Sequence, residues 1–339
     1  MHNHAYLIIF YEDATSLTII VQSGDAEERY REKPLEDEHM TTYHRSIIGA
    51  GLASLSCLGL LLASGGSTQN SNSQMEDPNM LQVASSDGTV IGYFKSGSGP
   101  SLLLIHGTTA DHRRWSPVLP QLEQKFTVYA MDRRGRGASG DSPDYDLMRE
   151  AEDVAAVVEA IDEPLSILAH SYGAVCGLEA ALLTDKVSRL ILYEPPVPTG
   201  LPMYPPETPD RMQALIDRGE LEAALEVFFR EVVRMPEHEL EVFRQLPMWK
   251  ERIKLTPTLP REVVIDQTYH FEPVKFAGFQ VPTLLLLGGD SPALFRQATE
   301  VIDSALPNSS VVVLPGQQHI AMDTDPGLFV NEVLQFLLE

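Results

Sequence analysis

A serine between small residues stands at Ala169-His170-Ser171-Tyr172-Gly173. The apolar run before it, Leu165–His170, reads as a buried strand, and the small residues Ala174–Leu183 after it read as a helix. The serine therefore falls on a strand-to-helix turn. The pentapeptide is G-x-S-x-G with alanine in the first position, and its small flanks permit a sharp, strained turn that exposes a hydroxyl at the sheet edge. The helix N-terminus behind it offers N–H groups and positive potential to an oxyanion. A serine alcohol is a poor nucleophile until a base accepts its proton. His319, in Leu-Pro-Gly-Gln-Gln-His after the apolar run Ser310–Leu314, is placed to be that base. His106-Gly107-Thr108 ends another apolar run, where a second oxyanion N–H is expected.

These residues need a scaffold, and the rest of the chain supplies a pattern for one. Short apolar runs bounded by turn residues predict strands at Ser101–His106, Phe126–Asp132, Leu165–His170, Val187–Tyr193, Val281–Gly288 and Ser310–Leu314. Gln82–Phe94 reads as a hairpin turning at Asp87-Gly88. Leu147, Ala151, Val154, Ala155, Val158 and Ile161 share one helical face. Further helices are expected after Ser171, at Pro292–Leu306 and at Gly327–Leu338. Alternating strands and helices predict an α/β fold, a mostly parallel sheet with helices on both faces. One segment breaks the rhythm. Seven prolines fall within Pro195–Pro209, helical patterns without strands follow, and strands resume only at Val281. An insertion there would lie over the carboxyl edge of the sheet, where ligands bind in open α/β folds. A helical cap at about residues 196–275 is therefore expected.

From about residue 80 to the C-terminus the chain resembles the α/β-hydrolase superfamily, and in particular its capped bacterial members. The motifs that carry this are His-Gly-Thr at 106–108, the loop Asp132-Arg133-Arg134-Gly135-Arg136-Gly137-Ala138-Ser139, the serine turn, and Gly316-Gln317-Gln318-His319. The resemblance implies Ser171 as nucleophile, His319 as base and later acid, and the amides of Thr108 and Tyr172 as oxyanion hole. It also implies a carboxylate that holds the imidazole in its tautomer. The superfamily usually places it after the strand Val281–Gly288, which favours Asp290. Some relatives use the end of the preceding strand, here Glu194, and that alternative stays open. The expected activity is that of a cofactor-independent serine hydrolase cleaving a small or medium carboxylic ester, lactone or thioester. Perhydrolysis of the haloperoxidase type, C–C bond hydrolysis and amidase or peptidase action share the machinery. A ligand-binding protein with vestigial turnover is a reading of another class. Dehalogenases and epoxide hydrolases of this fold need a carboxylate at position 171, and serine argues against them.

Other patterns invite different chemistry. Gly135–Gly140 matches G-x-G-x-x-G after a strand, but Asp141-Ser142-Pro143 follows directly. No helix opens there to seat a phosphate, so a dinucleotide cofactor is not expected and Arg133, Arg134 and Arg136 read as local ion-pair partners. Asp111 and His112 beside His106 read as local hydrogen bonding, with no metal expected. Cys176 reads as a buried small residue. Trp115 and the cap methionines Met203, Met212, Met235 and Met248 read as packing, and any that line the pocket favour an apolar acyl group. Asp323 and Asp325 read as starting the last helix.

Composition narrows the class. The chain has 339 residues, 43% of them hydrophobic, which allows a sizeable core. With 25 Lys and Arg against 48 Asp and Glu the formal net charge is -23, and a surface so acidic repels nucleic acid. The partner expected is a small-molecule substrate. Two cysteines, Cys57 and Cys176, make no disulfide framework. Residues 1–39 are acidic and read as a poorly ordered tail. Within residues 40–79, Ile47–Ala63 is an uncharged stretch preceded by Arg45 and followed by a Gly/Ser-rich linker. It reads as an export signal or membrane tether, N-terminal if translation starts at Met40 rather than Met1. The protein would then be exported or membrane-anchored, and cytoplasmic if that stretch is inactive.

Overall fold

The computed structural model describes residues 6–13, 16–23, 26–31 and 79–339, except 201 and 246. The chain divides into two units, Met1–Ser71 and Asn72–Glu339. In the first, strands β1 (Tyr6–Asp13), β2 (Ser16–Ser23) and β3 (Ala26–Arg31) form an antiparallel sheet in the order β1-β2-β3. This differs from the poorly ordered tail expected of residues 1–39. The run Leu17–Val21 gives Tyr6–Tyr11 its partner, in a register that sets Leu7 opposite Val21 and Ile9 opposite Ile19. The segment Ile47–Ala63 lies outside the described residues. Among the described residues no helix is long and apolar enough to cross a membrane.

The second unit is built on an eight-stranded sheet. Its strands are β4 (Met80–Ala84), β5 (Val90–Gly97), β6 (Ser101–Ile105), β7 (Thr127–Met131), β8 (Leu165–His170), β9 (Val187–Tyr193), β10 (Thr283–Gly288) and β11 (Ser309–Leu314). They lie in the order β11-β10-β9-β8-β6-β7-β5-β4. The β4–β5 hairpin is antiparallel and β5 pairs antiparallel with β7, while all other pairs are parallel. The central strands are largely apolar because both faces are covered. On β6, Leu103 and Ile105 enter one core with Val154 and Val157 of the Leu147–Ile161 helix. Leu102 and Leu104 enter the other, with Trp115 and with Phe329 and Val333 of the Pro326–Leu338 helix. A period of two across a sheet filled on both sides produces this split.

Two strand pairings place the chemistry. β8 lies between β6 and β9, so the segments following all three converge at one carboxyl edge. Between β9 and β10 the chain leaves the sheet through helices that include Thr208–Asp217, Leu221–Val227, Glu237–Arg244, Pro247–Leu255 and Leu259–Val263. A small 3₁₀ turn, Pro273–Phe276, precedes the return to β10.

Candidate active site

Ser171 follows β8 and precedes the Tyr172–Ala180 helix with φ 56 and ψ -129. A non-glycine residue held there stores strain of about 1–3 kcal/mol, which the surrounding structure must over-determine. Three features do so. The Ser171 amide donates to the Tyr193 carbonyl of β9 at 2.9 Å. Gly173 allows the helix to meet β6, because a Cβ there would lie 2.2 Å from the His106 carbonyl oxygen. The alanine at the first motif position is accommodated by Gly177, where an added Cβ would come within 3.3 Å of the Ala169 methyl. As the first helical residue, Tyr172 has no carbonyl one turn earlier to accept from its amide. Its ring is fixed instead, with its hydroxyl 2.9 Å from Tyr145 and its face under the Arg133 guanidinium.

The opposite wall follows β6. His106 is fully buried, and its Nε2 accepts from the Arg133 amide at 3.1 Å. Its proton therefore sits on Nδ1, which donates to the Gly107 carbonyl at 2.8 Å. Burial, and then Arg133, hold the ring well below the ordinary histidine range, so it is a neutral brace for the Gly107-Thr108 turn. Gly107 has no side chain for a steric reason: an added Cβ would lie 2.8 Å from the Ser171 Cβ. Gly107→Ala should lower kcat/KM by about 10²-fold by displacing the serine. Thermal unfolding within a few degrees of wild type would show that the fold survives, and undiminished turnover would contradict this account of the glycine.

His319 lies in the segment between β11 and the Pro326–Leu338 helix. Its Nδ1 is 2.6 Å from Glu194 Oε2. The other carboxylate oxygen, Oε1, accepts from the Gly288 amide at 2.7 Å. Glu194 is fully buried with a φ of 48. The imidazole is held between two rings, stacked on Phe295 at 4.4 Å and tilted against His170 at 4.6 Å. His170 Nε2 donates to the His319 carbonyl at 2.9 Å. The Tyr193 hydroxyl donates to the Gln318 carbonyl and accepts from the Ala321 amide at 3.1 Å. The preference for Asp290 is corrected by this geometry. Asp290 is exposed in the turn after β10, and its amide donates to the Gln317 carbonyl. The glycines before it serve close approach, since a Cβ on Gly288 would meet the Gln317 carbonyl oxygen at 2.6 Å. Ser171, His319, Thr108 and Tyr172 line a single cavity under the cap, and Glu194 backs His319 from within the protein.

The Asp132–Ser139 loop ties cap to core. Arg133 grips Glu150 with two bonds of 2.7 and 2.6 Å and lies 3.1 Å from Glu262 of the cap helix Leu259–Val263. Arg136 pairs with the same Glu262 and donates to Thr258 at 2.6 Å. Arg134 holds Asp153 at 2.6 Å and Asp87 at 3.1 Å. Burial disfavours the Glu262 charge, but Arg133 and Arg136 outweigh it and hold the carboxyl below its ordinary range. Removing one member of a buried ion cluster leaves its partners uncompensated. Glu262→Gln should therefore lower the unfolding free energy by about 3–5 kcal/mol in denaturant titration. A loss under about 1 kcal/mol would show that the cluster is not what fastens the cap.

Gly135 and Gly137 take left-handed φ values, and the Ala138 amide donates to Asp132 at 2.8 Å. The loop is thus wound on a carboxylate of its own chain. Atoms of Asp111, His112 and Asp132 lie within 4.8 Å of one another, the one such group among the described residues. Arg113 engages Asp111 at 2.6 Å, and Asp132 accepts from the His112 amide and faces its ring at 2.9 Å, so these charges are met locally. Cys176 is buried, as is Trp115 in the second core. Met203 and Met235 line the cavity, Met212 is in the core, and Met248 is exposed. Asp325 caps the last helix by accepting from Leu328 at 3.0 Å. Asp323 does not; it pairs with Arg114 and lines the cavity. Sequence reasoning missed Arg114, Arg252, Glu262 and Phe295, which reach the cavity from separate segments with no shared motif.

A strained serine turn, an imidazole after the last strand and a helical excursion over a mostly parallel sheet are features of an α/β hydrolase. The chain belongs to the alpha/beta hydrolase family, whose model matches residues 102–333, and it is a hydrolase. It is similar to an alpha/beta hydrolase of Sphaerobacter thermophilus, with 34% identity and a TM-score of 0.68 over 76% of this chain and 100% of that one. It is 24% identical to a 2-(acetamidomethylene)succinate hydrolase of Mesorhizobium japonicum over 72% of this chain and 90% of that protein. An N-formylmaleamate deformylase of Pseudomonas putida is 35% identical, over 33% of this chain and 44% of its own length.

Proposed function

We propose that the protein hydrolyses a small or medium carboxylic ester, lactone or thioester through an acyl-serine intermediate. The observation that carries this reading is that a strained Ser171 and the Glu194-bound His319 line one cavity. In the proposed reaction His319 Nε2 takes the Ser171 proton as the oxygen attacks the acyl carbon. Glu194 keeps the Nδ1 proton in place and stabilises the imidazolium. The Thr108 and Tyr172 amides receive the oxyanion charge as it develops. His319 then protonates the leaving group, and the same ring activates water to release the acid and restore Ser171. No cofactor takes part in this scheme.

The test is turnover of p-nitrophenyl acetate and butyrate by wild type and Ser171→Ala. The reading expects turnover that vanishes with the hydroxyl, and activity surviving that change would remove it. The 2-(acetamidomethylene)succinate hydrolase and the N-formylmaleamate deformylase, both named for N-acyl substrates, favour a second reading in which the acyl group is released from nitrogen. Faster turnover of an anilide than of its matched ester would select it.

A further inference from the structure

We infer that the cavity selects substrates bearing a free carboxylate, and that Arg252 of the cap is the side chain that binds it. This deepens the acyl-serine reading above and rests on it for the identity of the reacting site. The cavity is lined by two arginines, Arg114 and Arg252, and two acids, Glu262 and Asp323. Three of these four are already matched. Arg114 makes a two-bonded pair with Asp323, at 2.9 and 2.5 Å. Glu262 is held by Arg133 and Arg136. The nearby acids Asp111 and Glu251 are taken by Arg113 at 2.6 and 3.5 Å, and Glu251 also by Lys254 at 2.8 Å.

Arg252 is left over. Among the described residues, no carboxylate lies within ion-pair distance of its guanidinium, in a chain where acids outnumber bases 48 to 25. Among the described residues its guanidinium bonds a neutral residue through one nitrogen: Nη1 donates to the Thr109 carbonyl at 3.1 Å and to its hydroxyl at 2.5 Å. Guanidinium carries five donors in a planar fork that fits a carboxylate. Phe243 and Phe229 lie at 5.2 and 5.9 Å from it, which lessens the cost of holding the charge away from water. Burial and the charge of Arg114 push its pKa down to about 10, so at neutral pH it remains a cation. A half-buried cation with aromatic support, a fixed anchor and, among the described residues, no acid within ion-pair distance is arranged for an anion from outside.

Its anchor also sets where that anion would sit. Thr109 directly follows Thr108, whose amide is the proposed oxyanion donor, so a carboxylate on Arg252 would lie close to the acyl carbon. The occupant that fits is a short diacid derivative, with one carboxyl esterified and the other free. Apolar side chains such as Phe228, Val232 and Met235 border the rest of the cavity and suit the uncharged remainder.

The test compares mono-p-nitrophenyl glutarate with p-nitrophenyl butyrate, which differ chiefly in the terminal carboxylate. Wild type should favour the charged ester in kcat/KM by about ten- to a hundredfold, the scale of one charge-assisted recognition. Arg252→Gln should erase most of that ratio, chiefly through KM. Glutarate should bind saturably to wild type in calorimetry, and this arm needs neither turnover nor a folded variant. A wild-type ratio at or below one, an unchanged ratio in folded Arg252→Gln, or no saturable glutarate binding would overturn the inference. If a fluorophosphonate labels Ser171 while the neutral ester is preferred, the carboxylate inference alone fails. If both esters are inert and Ser171 stays unlabelled, the acyl-serine reading fails, and glutarate binding alone decides the anion site.

Discussion

Alanine in place of Ser171 is expected to lower kcat for an activated ester by about 10⁶-fold, the scale of losing the nucleophile from a cooperating triad. KM should change little, because the cavity walls and the oxyanion amides remain. The fold should survive with its stability little changed, because alanine meets the same strained φ of 56 and the half-buried hydroxyl faces the cavity. Stopped-flow release of p-nitrophenol on purified wild type and variant would measure the ratio. A fall of less than about 10²-fold would mean that another group carries the attack.

The second large effect separates the two acids. Glu194→Gln should lower kcat by about 10⁴-fold, because an amide in place of the carboxylate imposes the wrong tautomer and cannot stabilise the imidazolium. Asp290→Asn should stay within about threefold of wild type, in line with an exposed side chain in a turn. Glu194→Gln also alters a buried acceptor, the one that takes the Gly288 amide at 2.7 Å. Circular dichroism and the unfolding midpoint should accompany the kinetics, so that a lost fold is not taken for a lost acid. The reverse ranking of the two variants would return the role to Asp290.

The preference for Asp290 shows where linear reading loses its grip. Strands β8 and β9 were legible to their ends, since LSILAH and VSRLILY are apolar runs closed by turn residues. Ser171 and His319 were legible because each follows such a run in a short motif, the serine directly and the histidine five residues on. The acid depends on a fact of another kind: β9 pairs directly with β8, so the residue closing β9 lies beside the serine turn. Asp290 lies one strand further out, after β10, and its Gly288-Gly289 lead reads as an acid-bearing turn when its steric role is close approach to the Gln317 segment. Spacing along the chain does not report that difference.

The cap was legible as an interruption of rhythm, a proline-rich run followed by helices. What it contributes to the cavity was not. Glu262 meets Arg133 and Arg136 across more than a hundred residues, and Arg252 meets Thr109 across 143. Such pairs follow from how helices settle on the sheet, with no local pattern to announce them. In the first unit, the acidic composition of residues 1–39 read as a tail and hid the pairing of the apolar runs Tyr6–Tyr11 and Leu17–Val21.

The most direct measurement is covalent. Reacting the purified protein with a fluorophosphonate and mapping the adduct by peptide mass spectrometry should place a single label on the Ser171 hydroxyl, with loss of all esterase turnover in step with labelling. A label on any other side chain, or full turnover by protein whose Ser171 has been blocked, would contradict the account.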